Sequence, residues 1–201
     1  IGQSTVATRQ VFANLFYRGV VLHQPVRHGE TLRTTVAVRG LLELSRRDDR
    51  PARGLALLGI HTVRVDDDAT VADYERCAML RFRNPDAATG HHDDLGDVEA
   101  EIDLAAWADR VPVGWDASPL AGASVPGWNV GARRTDGLRD TVTDAIALAR
   151  LTLNQAPVHR DPVLGPDGRR LVYGGHTIGL AQASLTRMFP DTATVLGWQA
   201  C

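Results

Sequence analysis

The chain has no lysine among its 201 residues, so all 22 of its basic residues are arginine. Set against 24 acidic residues they leave a formal net charge of -2 and an isoelectric point near 6.4. No basic field results, which removes the electrostatic case for binding nucleic acid or an anionic membrane surface. The arginine bias reads as a trace of GC-rich coding, although guanidinium geometry does suit phosphate and carboxylate recognition. Cysteine is scarce too. Cys77 inside an apolar run and Cys201 at the end make no disulfide framework, so a reduced, cytoplasmic setting is expected. No apolar run reaches the roughly 18 residues that span a bilayer, and the first residues lack the charged-then-apolar order of a signal peptide. What is present, 44% apolar and 23% charged residues, suits a soluble globular protein long enough to bury a sizeable core.

Along the chain, residues 4–17 place Val11 with Leu15 and Phe12 with Phe16 at helical spacings, behind Ser4 or Thr5 as N-cap. The spacing predicts a helix ending near Gly19. A turn at His28, Gly29 and Glu30 then joins two strands, and two more are predicted in residues 55–65 and 71–82, rich in Val, Ile, Leu, Tyr and Phe. Residues 84–127, with scattered Pro and Gly around Trp107 and Trp115, read as a linker that packs on a surface through its tryptophans. His91, His92, Asp93 and Asp94 sit in it, but adjacent residues diverge and no second cluster accompanies them, so a solvated loop is expected rather than a metal site. After a short strand or turn at 128–133, a helix capped by Thr143 is predicted to 153. A long apolar helix is expected from Gly175 to Met188, ended by Pro190, and a last strand over 192–200.

Between those two helices lie the chemically suggestive residues. Asn154, His159 and Asp161 precede a glycine pair, Gly174 and Gly175. His159 can act as acid or base near neutral pH, Asp161 is the carboxylate placed to orient it, and the Asn154 amide can hold a water. Exposed backbone N–H groups at a helix start favour developing negative charge, such as a thioester oxygen becoming an enolate. The plain readings are equally available: a loop histidine, Asp161 as turn initiator before Pro162, a simple strand-to-helix turn at the glycines, and His176 filling a packing niche.

The segments TLNQAPVHRDP and RRLVYGGHTIGLA resemble the hydratase motif of MaoC-like enzymes, whose usual pattern is Asp-x-Asn-Pro-x-His-x-Asp. Asn154, Ala156, Pro157, His159 and Asp161 stand at the matching places, with Asn154 where the family has its catalytic aspartate. NLFYRGVVLHQPVRHGETLRTT, YERCAMLRFR and ALARLTLN extend the likeness to the double hot-dog mesaconyl-CoA hydratase, or β-methylmalyl-CoA dehydratase, type of acyl dehydratase. The resemblance implies an α+β hot-dog fold, a long helix wrapped by antiparallel sheet. It also implies hydration or dehydration of an enoyl-CoA type thioester. His159 and Asn154 would be catalytic, with Asp161, Gly174, Gly175, His176 and Thr177 binding substrate. No metal or cofactor is expected beyond the coenzyme A of the substrate, and a homo-oligomer, a dimer, is expected. Arg160, Arg169 and Arg170 are candidates to meet the far carboxylate of a dicarboxylic acyl chain. The repeats would divide as 1–83, the back of a first hot dog, 84–127, a linker, and 128–201, the front of a second. On this reading the architecture is incomplete at both ends. A non-catalytic acyl-CoA-binding subunit and a hot-dog thioesterase are the alternatives.

Overall fold

The computed structural model describes residues 11–98, 103–111, 113–122, 129–192 and 194–201. They form two compact units, one of Ile1–Val111 with Leu196–Cys201 and the other of Pro112–Val195. Residues 84–127 are thus shared between the units, and the last strand joins the first of them.

The first unit is an antiparallel sheet of β1 (Val11–Leu22), β2 (Leu32–Glu43), β3 (Arg53–Arg64), β4 (Thr70–Arg81) and β5 (Gly197–Ala200), in the order β2-β3-β4-β1-β5. β2 to β4 lie where Val, Ile, Leu and Thr alternate and short polar stretches turn the chain. One face carries Val36, Ala56, Leu58, Ile60 and Tyr74, a packed apolar cluster. Because side chains alternate along a strand, the residues between them form the opposite face. There Leu57 and Cys77 are buried, Leu95 approaches Gly40, and burial pushes the Cys77 thiol pKa up.

Residues 11–17 are strand, not the expected helix, while 4–10 lie outside the described residues. The pairing of β1 with β4 shifts register between Val11 and Ala13, Asn14 and Phe16, and Arg18 and Val21. Residues i and i+4 share a face in a strand as well as in a helix, so the spacing of Val11 with Leu15 and of Phe12 with Phe16 did not separate the two. Aromatic and β-branched residues are in any case poor helix formers. Gly19, read as a helix end, sits in the last irregularity with φ 56°. That left-handed conformation suits a bulge glycine equally well.

Residues 91–93 finish the β2 edge. Glu43 N–H donates to the His91 carbonyl at 2.8 Å, and Leu41 and Asp93 exchange backbone and carboxylate bonds of 2.8–3.0 Å. Covering those backbone groups blunts an edge open to aggregation. In the same unit a short helix, α1 (Leu104–Ala108), brings the Trp107 ring over Gly197 of β5. The packing role expected of Trp107 is realised, whereas Trp115 is about half exposed.

Arg76 of β4 is the outlier of this unit. It is 0% exposed, and none of its three guanidinium nitrogens has a hydrogen-bond partner among the described residues.

The second unit holds α2 (Ala145–Leu151) and α3 (Gly174–Met188), joined by a loop of short 3-10 turns. Residues 129–133 make a turn, closed by Ala132 N–H to the Asn129 carbonyl at 2.9 Å. The cap of α2 is Asp144 in the left-handed region, not Thr143. α3 is anchored near its C-terminus by Asp136, which accepts from Ser184 Oγ at 2.9 Å and Arg187 Nε at 2.7 Å. The final strand is shorter than expected, Gly197–Ala200, and backbone bonds from Leu196 and Cys201 to β1 flank it. Among the described residues no helix is long and apolar enough to cross a membrane.

Candidate active site

Helix α2 ends where Leu153 turns to φ 55° and Asn154 N–H bonds back to the Ala149 carbonyl at 2.8 Å. That turn drives Asn154 inward until it is only 2% exposed. Its Oδ1 accepts from Ala156 N–H at 3.0 Å, which fixes the orientation of the amide. The other end, Nδ2, is buried and has no partner among the described residues. Asn154 therefore presents donors, the reverse of what an ionised aspartate would present at that position.

Pro157 starts a 3-10 turn that ends at His159, a half-buried residue. The chain returns so that Leu171 N–H donates to the Val158 carbonyl at 3.1 Å, while the Leu171 carbonyl accepts from His159 Nδ1 at 2.8 Å. A carbonyl can only accept, so Nδ1 carries the proton and Nε2 keeps its lone pair. The backbone thus does for His159 what Asp161 was expected to do. Asp161 instead caps the next turn, its Oδ1 accepting from Val163 N–H at 3.0 Å, and it is exposed.

Tyr173 links the histidine to the helix start. Its ring centroid lies 5.7 Å from that of His159, and it occupies the N-cap of α3 with no side-chain cap bond. A Cβ at Gly175 would come within 2.7–2.8 Å of the Tyr173 ring, so glycine there is what lets the ring fold over the first turn. The N–H groups of Gly174 and Gly175 stand in that turn, where a helix has no internal acceptors and its dipole favours negative charge. His176 N–H is already used by the Tyr173 carbonyl at 2.9 Å, and its buried Nδ1 has no partner among the described residues. Thr177 is exposed.

The structure therefore groups His159 with the α3 start, which holds Gly174, Gly175 and His176, and buries Asn154 in the same loop. Tyr173 and the Leu171 carbonyl were missed. An aromatic residue directly before a Gly pair was the available signal for the first, and a backbone acceptor has none. Of the three arginines, Arg160 donates to the Gln155 carbonyl at 3.1 Å and Arg170 to the Arg160 carbonyl at 3.3 Å, which occupies them within the loop. Arg169 is exposed and its side chain has no such bond among the described residues.

No family model matches the chain. Among curated proteins it is 33% identical over 181 residues to a mesaconyl-CoA hydratase of Cereibacter sphaeroides, covering 85% of this chain and 50% of that protein. It is 32% identical over 185 residues to a β-methylmalyl-CoA dehydratase of Chloroflexus aurantiacus, covering 85% and 49%. The chain spans about half the length of the curated relatives it matches. Among solved structures, a Mycobacterium tuberculosis protein described as having a double hotdog fold is 40% identical with a TM-score of 0.73. That match covers 98% of this chain and 60% of the other. A MaoC domain protein dehydratase of Chloroflexus aurantiacus shares the fold at a TM-score of 0.64 and 24% identity, covering 95% and 55%. The chain is thus similar to these proteins and has an α+β hot-dog fold.

Proposed function

We propose that this chain carries the reaction centre of a hydratase/dehydratase acting on an enoyl-CoA type thioester, with mesaconyl-CoA or β-methylmalyl-CoA as the candidate substrate. The observation that carries the reading is the His159 tautomer, with Nδ1–H held by the Leu171 carbonyl and Nε2 left as base. In the hydration direction Nε2 takes a proton from water, and the water oxygen bonds to C3. The C2–C3 electron pair moves onto the thioester, where the enolate oxygen meets the N–H of Gly175. The proton on Nε2 then passes to C2. Donors placed where charge develops are commonly the largest single contribution to such a step.

Asn154 Nδ2 holds the oxygen of the attacking water, or of the departing hydroxyl in the reverse reaction. It moves no proton itself, so His159 performs both transfers. Gly174, His176 and Thr177 border the acyl thioester, Asp161 supports the loop, and Arg169 is the cation free to meet a far carboxylate. The reaction needs no cofactor besides the coenzyme A of the substrate. A cytoplasmic homodimer completes the proposal.

A second reading rests on Asn154, since an amide in the aspartate position suits a subunit that binds acyl-CoA without turning it over. A panel of enoyl-CoA esters separates these readings. Loss of enoyl absorbance without thiol release supports a hydratase, and free thiol detected by a thiol-reactive dye identifies a thioesterase. Binding with neither change identifies a non-catalytic subunit.

A further inference from the structure

The sheet unit contains a cavity of about 720 Å³, within the size range of small-molecule sites. Its floor is made of Thr35 and Ala37 of β2, Gly59 and His61 of β3, and Asp73 and Glu75 of β4. These are cross-strand neighbours in register, Thr35 with His61 and Asp73, and Ala37 with Gly59 and Glu75. They belong to the face opposite the Val36, Leu58, Ile60 and Tyr74 cluster. A sheet face meant for a hydrophobic cover carries large apolar residues. This one is polar at its edges and small in the middle, which makes a hollow.

Its charged groups are unequally committed. Asp73 is shared by two imidazoles, accepting from His61 Nδ1 at 2.5 Å and from His23 Nε2 at 3.0 Å. With Nδ1 held by a carboxylate, His61 has Nε2 left for a ligand. Glu75 is paired with Arg18 at 2.7 Å, and the other Arg18 nitrogens donate to the carbonyls of Leu95, Gly96 and Asp97 at 2.8–3.2 Å. Arg39 makes no hydrogen bond or ion pair among the described residues. It lies across Gly59, where a Cβ would stand 2.7 Å from its Nε. Gly59 thereby keeps the floor low and the guanidinium over it. Among the described residues, Asp97 on the rim is the lining carboxylate that neither an arginine nor an imidazole side chain contacts, which disfavours ligands with more than one anionic group.

We propose that this cavity is a ligand site for a small hydroxylated molecule with one anionic group, a carboxylate or a phosphate. Arg39 pairs with the anion, His61 Nε2 hydrogen-bonds beside it, and Asp97 accepts from the hydroxyl. The site lies wholly within the sheet unit and does not depend on the reaction assigned to His159.

The test is isothermal titration of the full chain with lactate and with glycerol 3-phosphate, the first probing carboxylate and the second phosphate. At least one is expected to bind in the millimolar range or tighter. Arg39→Met is expected to weaken that binding at least about tenfold, the loss of one charge-assisted contact. Gly59→Val, which lifts Arg39 and fills the floor, is expected to abolish it. Circular dichroism on both variants verifies folding, and Arg39→Met alters only an exposed side chain. The proposal is overturned if neither probe binds the parent, or if folded Arg39→Met binds as tightly as the parent.

Discussion

Replacing Asn154 in two ways separates its structural role from its chemical one. Asn154→Ala removes the acceptor for Ala156 N–H, and Ala156 is itself buried. An unmet buried N–H costs about 1–3 kcal/mol. For a chain of this length that lowers the melting temperature by roughly 2–12 °C. Asn154→Asp is nearly isosteric and keeps the bond to Ala156 N–H, but exchanges the inward donor for an acceptor. Losing one neutral hydrogen bond to the reacting oxygen corresponds to a fall in kcat on the order of tenfold. Both variants are followed by enoyl-thioester absorbance and by thermal melts monitored by circular dichroism. The expected pattern is a lower melting temperature for the alanine variant and a lower kcat for the aspartate variant. An aspartate variant as fast as the parent, or faster, would refute the donor role, because it would mean that the position works best as an acceptor.

Other consequences follow from the same geometry. Arg76→Met replaces a buried cation with no partner among the described residues by an apolar side chain of similar length, which removes the cost of burying an uncompensated charge and so stabilises the fold. Calorimetry should therefore show a higher melting temperature, and a lower one would contradict the buried, unpaired state. Gly175→Val forces the Tyr173 ring away from the α3 start. Kinetics on the variant should show kcat reduced by on the order of 10²-fold with the fold intact, as expected when a reacting group is displaced by about an ångström. Asp136 titrates below the usual carboxylate range because it accepts from Leu138 N–H and from the side chains of Arg187 and Ser184. A carboxyl depressed by folding stabilises above its unfolded pKa of about 4, and that contribution is lost as the pH falls through the lower folded value. The melting temperatures of the parent and Asp136→Asn should therefore differ near neutral pH and converge in acid.

How far the sequence could be read depended on what each residue interacts with. β2, β3 and β4 were legible because an apolar face against a polar or solvated one leaves alternation in the sequence. Only the end of β1, before the His28 turn, was legible as strand, since its apolar i,i+4 pairs fit a helix equally well and its partner in β4 lies fifty or more residues away. Helix α3 showed itself through its glycine start and proline stop. At the site, His159 and Asn154 stood out by residue type and by likeness to the hydratase motif. The atom that orients His159 is a backbone carbonyl, and any residue at position 171 supplies one. The polarity of Asn154 was equally hidden, being decided by one bond to Ala156. The pairing of His23 and His61 on Asp73 arises only when β3 and β4 come into register and the end of β1 reaches them.

The central claim, that His159 is the acid and base of an enoyl-thioester hydratase, is tested most directly by steady-state hydration of mesaconyl-CoA by the parent and by His159→Ala. A positioned acid–base group contributes about 10²–10⁴-fold, so the variant should lose at least ~100-fold in kcat. Its melting temperature should stay close to the parent's, because the imidazole makes a single bond to a loop carbonyl. A variant that hydrates mesaconyl-CoA at the parent rate would contradict the account.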